Sequence, residues 1–90
     1  MQFEIYMMLN KKETTDQRIL GEVLSAARKE QDLNPEALAK VVCLSKWHIK
    51  EIEEADTFLT FYSMAIKIQA AKRVGKHLGL SEDQYLKSIE

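Results

Sequence analysis

The chain has 90 residues, with 13 basic and 14 acidic side chains and a formal net charge of -1, so it is read as one small domain with room for a single modest core. It lacks the strongly basic balance of a dedicated nucleic-acid binder, while 46% apolar residues are too many for a disordered chain. A single cysteine, Cys43, excludes an internal disulfide framework and a cysteine-rich metal site and fits a reducing, cytoplasmic setting.

Residues 1–13 read as an N-terminal arm. Phe3, Ile5 and Met7 alternate with Gln2, Glu4, Tyr6 and Met8, a loose period of two that suits an extended segment. Such an arm covers an apolar patch, pairs with a second copy of itself or stays disordered. No apolar run reaches membrane length, and no membrane span is expected. After the polar connector Asn10–Thr15, capping chemistry from Thr14 to Gln17 or at Asp16 starts a first helix near residue 16 that runs to about Glu30. Its apolar stripe is Leu20, Val23, Leu24 and Ala27. Asn34, Pro35 and Glu36 read as N-cap, first helical position and first-turn acid of a second helix of about two turns that carries Leu38 and Val42 inward. Ser45 caps a third short helix that ends near Ala55 and buries Ile49 and Ile52, with a tight turn at Cys43 and Leu44.

From about Leu59 to Leu78, Tyr62, Ile66, Ala70, Val74 and Leu78 recur every four residues, and Phe61, Ala65 and Ile68 widen the stripe into that of a central helix. Gly79 marks its stop. Ser81 to Gln84 forms a capping box for a last helix that packs Tyr85, Leu86 and Ile89. The expectation is an all-α, five-helix domain over residues 14–90.

The ungapped segment Leu33–Asp56 resembles the helix-turn-helix of the Xre and lambda-repressor-like superfamily, with the helix-turn-helix proper at about 34–55. In that resemblance Leu38 and Ala39 pack the two helices, Ile49 and Ile52 anchor the recognition helix, and Arg28 and Glu53 form a structural pair between helix one and the recognition helix. Over Leu20–Leu86 the chain is similar to the cytoplasmic domain of the RodZ family of bacterial cell-shape proteins. Gly21-Glu22, Arg28, Gln31, Leu33, Ala39, Ile52-Glu53-Glu54, Asp56 and Leu78-Gly79-Leu80 carry that similarity. It departs where Ile66, Ala70 and Val74 replace aromatic residues, where a proline-containing lead-in is missing, and where Asp32 replaces glycine. The first resemblance implies DNA binding and transcription regulation. The second implies docking on a cytoplasmic protein such as an MreB-like filament, without the membrane tether.

In the DNA reading Ser45, Lys46 and Trp47 open the recognition helix toward the major groove, with Lys50 and Glu51 farther along. Ser45 is first of all an N-cap. Glu51, Glu53, Glu54 and Asp56 outnumber the lysines of this segment and oppose phosphate. In the protein reading Trp47, Phe58, Phe61 or Tyr62 docks a partner, aided by Lys72 and Arg73. Lys67, Lys72, Arg73 and Lys76 form a basic helix face whose default role is solvation. Trp47 is an exposed anchor or an edge-packed ring, and Cys43 is expected as a small buried thiol. Asp32 is expected to end helix one in left-handed geometry. His48 and His77 sit in no metal-ligand motif. No nucleophile–base pair, carboxylate dyad or phosphate loop is seen, so no enzyme, metal or cofactor is expected. DNA binding leads, protein docking is the alternative, and a DNA binder would dimerise on a two-fold site through its N-terminal arm.

Overall fold

The computed structural model describes residues 17–88, and within them the chain is mostly helical. A short strand, β1 (Gln17–Ile19), leads into α1 (Gly21–Glu30), α2 (Pro35–Val41) and α3 (Lys46–Glu54). A longer connection then reaches α4 (Met64–His77), the single-turn α5 (Glu82–Tyr85) and β2 (Leu86–Ser88). The expected arm of residues 1–13, the capping chemistry at Thr14 and Asp16, and Ile89 lie outside the described residues.

Side-chain oxygens set the helix starts. Asn34 Oδ1 accepts the Ala37 N–H at 2.7 Å ahead of Pro35, Ser45 Oγ accepts the His48 N–H at 3.3 Å, and Ser63 Oγ accepts the Ile66 N–H at 3.2 Å. Each such cap is worth about 1 kcal/mol. The ends of α1, α2 and α4 share one device: the N–H of Leu33, Leu44 and Leu80 reaches back to the carbonyl of Arg28, Ala39 and Gly75 at 3.2, 2.8 and 2.9 Å. That closure needs a left-handed residue just before the donor, and Asp32 (φ 56), Cys43 (φ 61) and Gly79 (φ 83) supply it. The same geometry corrects the expectation for Cys43. Its thiol is exposed, because the reversed backbone turns the side chain out of the turn.

The all-helical expectation is corrected at both ends of the described chain. β1 and β2 pair antiparallel, with Gln17 opposite Ser88, Arg18 opposite Lys87 and Ile19 opposite Leu86. Helix one therefore starts at Gly21, not near residue 16, and the last helix stops at Tyr85 without taking in Leu86. Leu20 is held outside helical geometry (φ -87, ψ 85) because its N–H is given to Tyr85 O at 2.7 Å. Gly21 follows because the start of α1 abuts the end of α3, where a Cβ at residue 21 would lie 2.2 Å from Glu53 O.

The start of α4 is the third correction. It begins at Met64, several residues later than the every-four pattern implies, since the preceding backbone is bound to side chains of α3 and α4. Its inner face is Ile68, Ala71, Val74 and Leu78, while Tyr62 and Ile66 of the expected stripe are exposed. These residues meet Leu24, Leu38, Val42, Ile49 and Ile52 in one core. Tyr85 lies against α4 at Gly75, where a Cβ would stand 2.3 Å from its ring. Burial and then the Glu82 carboxylate push the Tyr85 hydroxyl above its ordinary pKa.

Candidate nucleic-acid interface

The start of α3 is fixed by a reciprocal cap. Ser45 Oγ accepts the His48 N–H, and the Ser45 N–H donates to His48 Nδ1 at 3.1 Å. Histidine thus fills the position where a capping box ordinarily has Glu or Gln, and its ring lies 4.7 Å, centre to centre, from that of Phe61. That role was missed in the sequence because His is not a residue one searches for there. Among the described residues no cluster of His, Cys, Asp and Glu is arranged to hold a metal ion.

The outer side of α3 carries Lys46, Trp47 and Lys50. Trp47 is 60% exposed, Lys50 is exposed and Lys46 is half-buried. Lys46 Nζ stands 3.7 Å from the Glu36 carboxylate and 5.1 Å from the centre of the Trp47 ring. At an exposed site both contacts are weak and easily exchanged. Ser45, Lys46 and Trp47 line one groove with Asn34, Glu36 and Lys40 of the α2 side.

The acids of this segment do not all face the lysines. Arg28 Nε donates to Glu53 Oε2 at 2.6 Å and Arg28 Nη2 to Glu53 Oε1 at 3.1 Å, with the side chains only 9% and 5% exposed. Arg28 Nη1 also donates to Leu33 O at 2.8 Å, so the pair ties α1, its C-terminal turn and α3 together. Glu51 is buried as well, which corrects its expected place on the outer face. Its carboxylate accepts the backbone N–H groups of Leu59 and Thr60 and the Thr60 hydroxyl. Burial pushes this carboxyl up, but those hydrogen bonds and the nearby Lys67 ammonium outweigh it and hold it below the usual carboxylate range. Asp56 lies 3.7 Å from Arg18 across an exposed pair. Glu54 is exposed.

Lys67 is the matching correction. Expected on a solvated basic face, it is instead fully buried, and its ammonium donates to the carbonyls of Ala55 and Thr57. Burial lowers its pKa against the opposing pull of Glu51 and Asp56. The remaining candidates do not all converge. Phe61, Tyr62 and Arg73 line one cleft with His48 and Ile66. Lys72 pairs with Glu82 at 3.8 Å and lines a second cleft with Tyr85, which Arg73 also borders. Arg73 Nη1 donates to Val42 O at 2.9 Å and so clamps the turn between α2 and α3 onto α4. Phe58 stands exposed in the α3–α4 connection.

No helix among the described residues is long and apolar enough to cross a membrane. No protein-family model, curated protein or solved structure matches the chain.

Proposed function

We propose that α2 and α3 form a helix-turn-helix of the Xre and lambda-repressor-like type, within a RodZ-like domain, and that α3 is its DNA-recognition helix. The module is a non-enzymatic, cytoplasmic regulator of transcription. One observation carries this reading: Glu51 and Glu53 are taken inside by Thr60, Leu59, Lys67 and Arg28, so the face with Lys46, Trp47 and Lys50 loses two of the acids that opposed phosphate. Ser45 holds the helix start, Lys46 exchanges Glu36 for a phosphate, Lys50 meets phosphate or a base edge, and Trp47 offers apolar contact to a thymine methyl. With two lysines engaged per subunit, affinity is modest and strongly salt-dependent, and pairing of two subunits on a two-fold site strengthens it.

The test is a titration of the full chain with mixed duplex DNA, following amide shifts at several salt concentrations in the wild type, Lys46→Ala and Lys50→Glu. The expected result is a set of shifts at residues 45–51 that shrink as salt rises and vanish in Lys50→Glu. Absence of shifts at low salt overturns the reading.

The 60% exposure of Trp47 favours a second reading, RodZ-like docking on an MreB-like filament, because an exposed indole is a frequent anchor of protein interfaces. Co-sedimentation with such filaments that Trp47→Ala abolishes and Lys50→Glu leaves intact would select it over DNA binding.

A further inference from the structure

The turn from α4 into α5 folds the chain back on itself and leaves a cleft of about 420 Å³ between the two helices. Gln69, Lys72, Arg73 and Lys76 of α4 line one side of it, and their spacing of three and four residues puts them on one helix face. Tyr85 of α5 lines the same cleft although it is fully buried, so it forms the floor. Among the described residues Glu82 is the one acid on the lining. It stands 3.8 Å from Lys72 with its own side chain 61% exposed, a pair that is easily exchanged. Three cations against one carboxylate leave the cleft positive in a chain whose net charge is -1.

Cations near a helix C-terminus ordinarily answer the carbonyls left over there. In α4 these have other partners: Val74 O accepts the Leu78 N–H, Gly75 O the Leu80 N–H and Lys76 O the Gly79 N–H, while Leu78 O accepts from Gln31 Nε2. The cations are therefore not spent on the helix end. Arg73 is also fixed in place, because its Nη1 donates to Val42 O at 2.9 Å. That anchor leaves the Nε and Nη2 donors of the guanidinium for a ligand. The Tyr85 hydroxyl has one contact within the described residues, to Lys72 O at 3.5 Å, which is long for a hydrogen bond. Burial and the Glu82 carboxylate keep that hydroxyl protonated, hence a donor. Charged and neutral donors on both walls of a cleft suit a compact oxyanion with acceptor oxygens on several sides, as a phosphate has.

We propose that the α4–α5 cleft is a phosphate-binding site, in which Lys72, Arg73 and Lys76 hold a phosphate monoester dianion and Tyr85 donates to it from the floor. The ester belongs to a free phosphorylated molecule or to a phosphorylated side chain of another protein, which share this group. The site has no residue in common with the groove of Ser45, Lys46 and Trp47 and does not depend on the DNA reading.

The test is a titration of the full chain with inorganic phosphate, followed by amide shifts at constant ionic strength and mildly alkaline pH, where the phosphate is a dianion. The expected result is a set of saturating shifts within residues 69–85, with residues 45–51 unmoved. Lys72→Gln and Lys76→Gln weaken the binding several-fold, and so does Tyr85→Phe, which keeps the ring and loses only the donor. Glu82→Gln has the opposite sign and tightens it, because a competing carboxylate is gone. Unchanged methyl shifts of Leu24, Leu38 and Val74 report an intact core in each variant. Shifts that chloride reproduces at the same ionic strength overturn the proposal, as does phosphate binding that Lys76→Gln and Glu82→Gln leave unaltered. Glycerol 2-phosphate and a short phosphoserine peptide then distinguish the two sources: tighter binding of the peptide assigns the site to a protein partner, and equal or weaker binding assigns it to a free phosphorylated molecule.

Discussion

Cys43 holds a backbone conformation (φ 61) that ends α2 and launches the turn into α3. A side chain there costs roughly 1–2 kcal/mol, which glycine avoids. Cys43→Gly is accordingly expected to stabilise the domain by about 1 kcal/mol, seen as a Tm rise of roughly 4–8 °C by calorimetry. Asp32→Gly gains less, because Asp tolerates the left-handed region better. At Glu53 the sign is opposite. Removing it leaves the Arg28 guanidinium, buried at the junction of α1 and α3, with only Leu33 O as partner. Glu53→Ala is expected to cost about 3 kcal/mol in urea unfolding, since one partner of a buried pair is left uncompensated. Pairing Arg28→Met with Glu53→Leu recovers much of that loss, because no lone charge remains inside.

Among the elements, the α3–α4 connection owes its shape to two charges sixteen residues apart in sequence, Glu51 and Lys67. Glu51 is held below its ordinary value of 4.5 in the folded state. It therefore contributes stability that is fully present above the unfolded pKa and lost as pH falls through the folded one. The groups facing it are Lys67 and Thr60, with Asp56 also acting on Lys67. Urea midpoints followed from neutral pH into acid should fall across that window in the wild type, and Glu51→Gln should be less stable at neutral pH and flatter there. An equally steep acid limb in Glu51→Gln would contradict the assignment. Local chemistry was legible where one residue decides the outcome: Asn34, Ser45 and Gly79 mark caps and ends in the sequence that the structure uses as such. The burial of Glu51 and Lys67 against the backbone of this connection was not, because neither period nor spacing announces it. The every-four pattern ran on through Tyr62 and Ile66, which kept the start of α4 too early. Arg28 and Glu53 meet as their positions in the resembled pattern implied, whereas the outward or inward aim of the acids on α3 needed the loop and α4 in place.

Across the whole molecule, the last link is the pairing of β1 with β2. Strands of three residues are too short for alternation to register, so the sequence read them as helix. What specifies them is distant: the Leu20 N–H on Tyr85 O, and Ile19 buried opposite Leu86. The packing of α2 against α3 and of α5 against α4 joins near neighbours in sequence, and such contacts close at little entropic cost. Pairing Ile19 with Leu86 closes nearly the entire described chain, so it is gained after the helices have assembled. Ile19→Ala and Leu86→Ala are each expected to cost about 2–3 kcal/mol. The double variant should cost less than their sum by at least about 0.5 kcal/mol, because the two side chains face each other. In stopped-flow chevrons the loss should fall on the unfolding limb, with refolding rates nearly unchanged. Slower refolding in either variant would place the strand pair in the folding nucleus and reverse this order of assembly.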